Sequence, residues 1–343
     1  MADSNPKELV FRLQDDIPVK TTPIRAGRNS QVFRVDCKSG KTLLAKFYLQ
    51  PTADGRSRLT QEWSALKFMF ENGITNIPRP IAFDQSLQGA LYSFIHGERV
   101  PQSCEYGIRE IFSFLSRLKE ISTQANAVKI SPAAEACFSP AQLVGNIEER
   151  LKKLQALPAE DELYRQLHLF LDNNFALRFA QLTDHAMQMF PGELWTEPLA
   201  QQHRTLSPSD FGFHNAIKND SGFTFVDFEY FGWDDPVKAT ADFLLHPAMD
   251  LSERQQNVFF NGMKELFAAD ENFTSRFKVY LPLLCLKWCM IILNEFIAVH
   301  MDRREFAAGE SSTRNNLRAR QLEKALNFLN KDQRILCVLN LAN

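Results

Sequence analysis

LSPSDFGFHNAIKNDSGFTFVDFEYFGWDDP, residues 206–236, is the stretch whose reading decides the fold. It opens with a loop dense in Ser, Pro, Gly and Asp, in which Asp210 and Asn215 stand five residues apart. A short connector at residues 218–222 leads into the apolar run FTFV, and Asp227 follows directly. Loop, turn and strand in that order read as a hairpin. Such a hairpin can bring the Asn215 amide and the Asp227 carboxylate to one cation, and their oxygens are the hard ligands that magnesium prefers. Asp210 would sit beside them, able to accept the proton of an incoming hydroxyl. Asp and Asn are common turn residues, so each of the three alone also fits a plain loop. The ordered set points to chemistry.

The residues upstream extend that set. Lys46 ends the apolar run TLLAK (42–46), where strand alternation can turn its ammonium into a cleft. Glu62 stands near the start of a helical segment, 62 − 46 = 16 residues later. A strand lysine held by a helix glutamate is the arrangement that meets nucleotide phosphates in kinases. Ahead of both lies IRAGRNSQVFRV (24–35), a strand–turn–strand containing Gly27. Backbone N–H groups around residues 28–31, with the Ser30 hydroxyl, can cover phosphate oxygens. An ordinary hairpin turn fits the same residues.

Around these positions the periodicity changes once along the chain. Residues 11–13, 31–36 and 42–48 carry strand signals, residues 60–71 a helical one, and residues 80–84 and 90–95 two further strands. After His96-Gly97 the pattern is helical at 106–121, 140–157, 160–189, 252–268, 273–299 and 312–329, broken by the strand-and-loop island at 205–235. The expected fold class is α+β with two lobes: a small antiparallel sheet with one helix over residues 1–96, and a larger, mainly helical lobe over 97–343. The first lobe would bind nucleotide, and the second would hold the catalytic loop and the acceptor.

Composition excludes several other classes. With 39 Lys and Arg against 41 Asp and Glu, the 343-residue chain has a net charge of −2 and lacks the basic face expected of a nucleic-acid partner. Its six cysteines include no CxxC pair, and Cys285 and Cys289 fall inside an apolar helical run that suits a core. The apolar stretch at 279–299 is interrupted by Pro282, Lys287, Asn294 and Glu295, which predicts a buried helix and not a membrane span. The first residues lack the apolar segment of a signal peptide, so a reduced, cytoplasmic protein is expected. Oligomeric state is left open.

With those residues placed, the chain resembles the aminoglycoside phosphotransferase and choline kinase group of small-molecule kinases, over residues 24–247. VDFEYFGWDDP (226–236) is similar to the family's strand, metal-binding aspartate and Gly-Trp-x-Asp-Pro turn, and ADFLLHP (241–247) resembles the helical segment that follows. IPRPIAFD (77–84) and LYSFIHGERV (91–100) look like the strand after the lysine–glutamate pair and the inter-lobe hinge. The resemblance implies a bilobal protein-kinase-like fold that uses ATP and Mg2+ to move the γ-phosphoryl group onto a small-molecule hydroxyl, as in an aminoglycoside, an amino alcohol or a sugar. It makes Asp210 the catalytic aspartate and Asn215 and Asp227 the metal ligands. Lys46 becomes the phosphate-contacting lysine, Glu62 its partner, Gly27 and Ser30 part of the phosphate-covering loop, and backbone from Ser93 to Ile95 the adenine contact.

One departure stands out. The family usually reads His-Gly-Asp where this chain has Pro208, Ser209 and Asp210. His214 can stand in for the missing histidine's packing, though a plain loop histidine fits as well. The departure keeps a second reading open, a nucleotide-binding pseudokinase with a regulatory or scaffold role. For the acceptor, Glu229, Asp234 and Asp235 would suit a cation, and Arg303, Arg304, Arg314 and Arg318 an anion. Turn-holding explains the aspartates equally, and a solvated helix face the arginines. Protein-kinase activity is disfavoured, because no Asp-Phe-Gly and Ala-Pro-Glu pair bounds a loop after Asp227.

Overall fold

Strand β3 (Thr42–Tyr48) shows how alternation divides the first lobe into two faces. Leu43, Ala45 and Phe47 point one way and join Val35, Cys37 and Leu91 in an apolar layer. Lys46 and Tyr48 point the other way, toward the body of the protein. Both faces are covered, which is why TLLAKFY reads as a nearly continuous apolar run. The computed structural model describes residues 5–24, 30–49, 57–301 and 314–342.

The sheet contains β1 (Pro18–Ile24), β2 (Ser30–Cys37), β3, β5 (Gly89–Ser93) and β4 (Pro80–Asp84), in that spatial order and antiparallel throughout. Its outer face is closed by α1 (Pro6–Leu13), and its inner face carries α2 (Arg58–Glu71). Residues 11–13, expected as a strand, are the last turn of α1. The Asn5 side chain accepts hydrogen bonds from the Lys7 and Glu8 N–H groups, Pro6 occupies the first turn, and Leu9 and Val10 are fully buried on the sheet. A capped turn with its apolar residues on the core side outweighs the strand preference of three residues.

The island after the first helices of the second lobe is built from two small sheets. β7 (Thr205–Ser207) pairs with β10 (Gly232–Asp234), and β6 (Glu98–Arg99), β8 (Ala216–Asn219) and β9 (Gly222–Phe225) form the other. Asp210 follows β7, Asn215 immediately precedes β8, and Asp227 comes just after β9. Asp210, Asn215 and Asp227 therefore lie in the turns that flank the island's short strands. Two glycines make the close approaches possible. Gly97, at φ 148°, lies where a Cβ would be 2.3 Å from the Lys218 carbonyl oxygen, which seats that segment on β8. At Gly232 a Cβ would be 2.4 Å from backbone of Ser131 and Ala133, so that loop straps directly over β10.

Helices α3 (Gly107–Ile121), α4 (Pro140–Gln155), α5 (Glu162–Phe170), α6 (Ala176–Met189), α7 (Pro236–Leu245), α8 (Glu253–Leu266), α9 (Phe273–Ile292), α10 (Arg314–Phe328) and α11 (Lys331–Val338) complete the second lobe. The predicted helix at 160–189 is α5 and α6 joined through a wider turn at Leu171–Phe175. The most apolar helical segment, Phe273–Phe296, is 89% buried across its most hydrophobic window and forms the centre of the core against α4, α6, α7 and α10. Cys285 and Cys289 lie there as fully buried free thiols, as expected.

Candidate active site

The inward face of β3 delivers Lys46 into a buried carboxylate cluster. Its Nζ lies 2.7 Å from Glu62 Oε2 and 2.6 Å from Asp227 Oδ1, with Glu229 Oε2 at 3.8 Å. Glu62, expected as the partner of Lys46, faces inward, and both its oxygens accept hydrogen bonds. Oε2 also accepts the Tyr48 hydroxyl at 2.7 Å, and Oε1 accepts the Phe228 N–H at 3.2 Å. Three carboxylates around one ammonium hold it charged: burial lowers the Lys46 pKa, but Asp227, Glu62 and Glu229 outweigh it and drive it well above the ordinary range. Glu229, buried beside the Asp227 charge, is pushed up to about 7.

The hairpin sets the next two residues side by side. β8 and β9 pair Ala216 with Phe225, and the Val226 N–H bonds the Asn215 carbonyl at 2.9 Å, so Asn215 and Asp227 flank adjacent rungs of one ladder. The Asn215 Nδ2 donates to the Asp210 carbonyl at 3.0 Å, and among the described residues no donor bonds its Oδ1, which can serve as an oxygen ligand. Asp227 adopts φ 69° and Ser209, one residue before Asp210, φ 67°. These are two of only four non-glycine residues with left-handed backbone among the described residues, and both adjoin the site.

Asp210 itself is held by imidazoles. His214 Nε2 and His246 Nε2 each lie 3.0 Å from Asp210 Oδ1. Burial raises the Asp210 carboxyl, but His214 and His246 beside it outweigh this and keep the group far below the usual carboxylate range. The tight turn through Pro208 and Ser209 is local: the Asp210 N–H bonds the Pro208 carbonyl at 2.9 Å, and the Ser209 N–H bonds Ser207 Oγ at 3.0 Å.

One cavity of about 1030 Å³ runs from the sheet to the helices and joins these groups. At the sheet end it is lined by Ser30, Lys46, Ser93 and Ile95; Phe94 and Ile95 follow Ser93, the last paired residue of β5. Beyond Asp210 the lining continues through Glu135, Arg150, His246, Lys287 and Trp288. Gly27, Arg303 and Arg304 lie outside the described residues. Arg318 donates to the Glu295 carbonyl at 3.1 Å and covers the Tyr164 ring.

The acidic trio proposed for a cationic acceptor does not assemble. Glu229 faces Lys46 and Arg58. Asp234 is fully buried with its Oδ2 2.7 Å from Lys238, while Asp235 caps α7 and binds Arg276 through both oxygens at 3.0 Å. The turn-holding explanation accounts for both aspartates. Two contributors had little sequence signal. Arg58, in the first turn of α2, sits over the Tyr230 ring, and His246 comes from the end of α7. A spacing of four from Lys238 through Asp242 to His246 was the available clue, because it places all three on one helix face.

The sequence profile of a phosphotransferase enzyme family matches residues 20–265. No curated protein matches significantly. Among solved structures, choline kinase from Cryptosporidium parvum Iowa II is 15% identical with a TM-score of 0.54, covering 94% of this chain and 92% of that one. Choline kinase from Streptococcus pneumoniae is 14% identical with a TM-score of 0.56, covering 94% and 96%. A spectinomycin phosphotransferase in complex with ADP and spectinomycin is 12% identical with a TM-score of 0.57, covering 94% and 97%. At these identities the likeness shows the fold, a bilobal kinase-like one.

Proposed function

The chain belongs to the phosphotransferase enzyme family, and from that premise we propose that it transfers the γ-phosphoryl group of ATP to a hydroxyl of a small molecule bound beyond Asp210. The observation that carries the reading is the convergence of Lys46, Glu62 and Asp227 within hydrogen-bond distance, in the same cavity as Asp210 and Asn215. A neutral core would not gather three carboxylates around one lysine, since each buried charge costs desolvation.

In this reading residues 1–96 bind the nucleotide, with backbone from Ser93 to Ile95 at the adenine edge and Ser30 near the phosphates. Lys46 meets the phosphates, and Glu62 holds it in place. The donor set fits a hard cation: among the described residues no donor bonds Asn215 Oδ1, and Asp227 supplies a carboxylate beside it. Asn215 and Asp227 would hold magnesium, which when bound offsets phosphate charge. Asp210, whose carboxyl is a weak base, orients the acceptor hydroxyl more than it abstracts a proton from it, consistent with a loose transition state in which positioning and electrostatics dominate.

The far half of the cavity, in the lobe of residues 97–343, favours a polyhydroxyl acceptor over a strongly charged one. Beyond Asp210 the charged lining side chains are Glu135, Glu149, Asp242 and Glu295 against Arg150, Lys153, Lys287 and Lys324, so four cations offset four anions. Buried free thiols suit a reducing, cytoplasmic setting.

The test is label transfer from ATP carrying γ- or α-labelled phosphate, with magnesium, across a panel of amino alcohols, sugars and aminoglycosides. Transfer of the γ label is expected; transfer of the α label would overturn the reaction type. Binding of ATP with no turnover on any acceptor would favour the regulatory pseudokinase. Asp227→Ala should abolish turnover, and near-normal activity in that variant would remove Asp227 from its assigned role.

A further inference from the structure

Asp210 follows a turn that carries Pro208 and Ser209, and among the described residues no side chain upstream of it bonds its carboxylate. The support comes from the other direction. The His214 Nε2–H donates to Oδ1, His246 Nε2 contacts the same oxygen at 3.0 Å, and the two rings stack with centroids 4.1 Å apart and planes within 2°. The tautomer of His246 is fixed by its surroundings: the Ala248 N–H donates to Nδ1 at 3.1 Å, so the neutral ring carries its proton on Nε2, which faces Asp210 Oδ1 at 3.0 Å. That assignment also disposes of a cation held by Asp210, His214 and His246, although their ligand atoms lie within 4.8 Å of one another. A metal would need the Nε2 lone pair, and here that nitrogen bears hydrogen.

His246 is clamped on every side that matters. Trp288 meets its ring edge-on at 4.8 Å and donates Nε1 to Asp242 Oδ1 at 2.9 Å. Asp242 in turn binds Lys238, which is buried against Asp234. The ladder 238, 242, 246 on one face of α7 thus ties the imidazole to the core. Among the described residues, no group bonds Asp210 Oδ2.

We infer that His246, with His214 stacked on it, is a positioning residue for phosphoryl transfer: the pair caps Oδ1 and so presents Oδ2 alone to the acceptor hydroxyl. The inference rests on reading Asp210 as the carboxylate that faces the acceptor. A carboxylate with two open oxygens offers an incoming hydroxyl several orientations, and capping one oxygen removes most of them before the acceptor arrives. The low basicity of Asp210 agrees with this, because the same two donors that fix the carboxylate also stabilise its charge.

Three variants test it. His246→Phe keeps a ring for the stack and removes the donor, His246→Gln returns an N–H near the Nε2 position, and Asp210→Ala removes the group acted upon. Turnover of ATP with magnesium is read first with water as acceptor, then with any panel compound that is phosphorylated. His246→Phe is expected to lower kcat about 10- to 100-fold with KM for ATP within about twofold of wild type. His246→Gln should recover a substantial part of that loss. In an Asp210→Ala background, adding His246→Phe should cost less than about twofold more, because coupled residues are not additive. Wild-type kcat in His246→Phe, or a fully additive loss in the double variant, overturns the inference while leaving Asp210 in its role. Wild-type turnover in Asp210→Ala alone would instead overturn the reading of Asp210. If His246→Phe does not fold, the cycle of His246→Gln with Asp210→Ala reads the same coupling.

Discussion

Glu135→Gln is the perturbation whose magnitude the structure sets most directly. Glu135 receives Arg150 Nη2 on both oxygens, at 2.9 and 2.8 Å, and Lys287 Nζ at 3.0 Å. Its side chain is 32% exposed, whereas that of Lys287 is only 2% exposed. Burial raises the Glu135 carboxyl, but Lys287 and Arg150 outweigh it and hold it down at about 2 against an ordinary 4.5. That difference corresponds to about 3 kcal/mol, or roughly 2 once partial exposure is allowed for. The sign follows from proton binding. A carboxyl with a depressed folded-state pKa stabilises fully above its unfolded value of 4.5 and loses that contribution as pH falls toward 2. Removing the charge also leaves Lys287 buried without a carboxylate, the situation in which breaking one side of a pair costs about 3–5 kcal/mol. Urea unfolding of wild type and Glu135→Gln should therefore differ by about 3 kcal/mol at pH 7. The difference should shrink by at least about 1 kcal/mol between pH 5 and pH 3. A gap that is below about 0.5 kcal/mol, or that stays constant down to pH 3, would refute the reasoning. The apolar double variant Glu135→Leu with Lys287→Met should regain most of the loss, since it removes both charges together.

Two further outcomes follow from the same kind of accounting. Lys46→Met strips the shared cation from Glu62, Asp227 and Glu229, and should lower ATP turnover at least about 100-fold and cost about 3–5 kcal/mol of stability; steady-state kinetics and thermal unfolding report the two effects separately. Arg276→Met breaks contacts to Asp235 and Asp270 beneath α7, with a comparable loss of about 3–5 kcal/mol in urea unfolding and a KM for ATP close to wild type, because Arg276 lies off the cavity lining.

The division between what could and could not be read from the sequence follows the range of the interactions. The convergence of Lys46, Glu62, Asp210, Asn215 and Asp227 on one cavity was legible because alternation turns Lys46 inward from β3, Glu62 lies in the first turns of α2, and the other three lie in turns flanking short strands, where direction is fixed locally. The placement of Ser93 and Ile95 on the cavity wall was legible for the same reason. His246 was not, because its partner lies 246 − 210 = 36 residues upstream and only tertiary packing brings the ring to Asp210. Glu229 was misjudged for a related reason. Its neighbours Asp234 and Asp235 are also acidic, but the backbone after Asp227 turns Glu229 toward Lys46 and the other two into the helix beneath. At residues 11–13 the three-residue window was too short to show a period, while the signal that mattered was the Asn5-Pro6 cap several residues earlier.

Helix α1 has a practical consequence for handling the protein. It covers the face of the sheet opposite the cavity, so trimming the chain to begin at Pro18 would leave every cavity-lining side chain in place and yet bare a slab made of Val35, Leu43, Ala45, Phe47 and Leu91. Such a slab favours self-association over inactivation. The trimmed protein would fail first as a colloid, and the newly uncovered Cys37 thiol would mark the event by its labelling with thiol reagents.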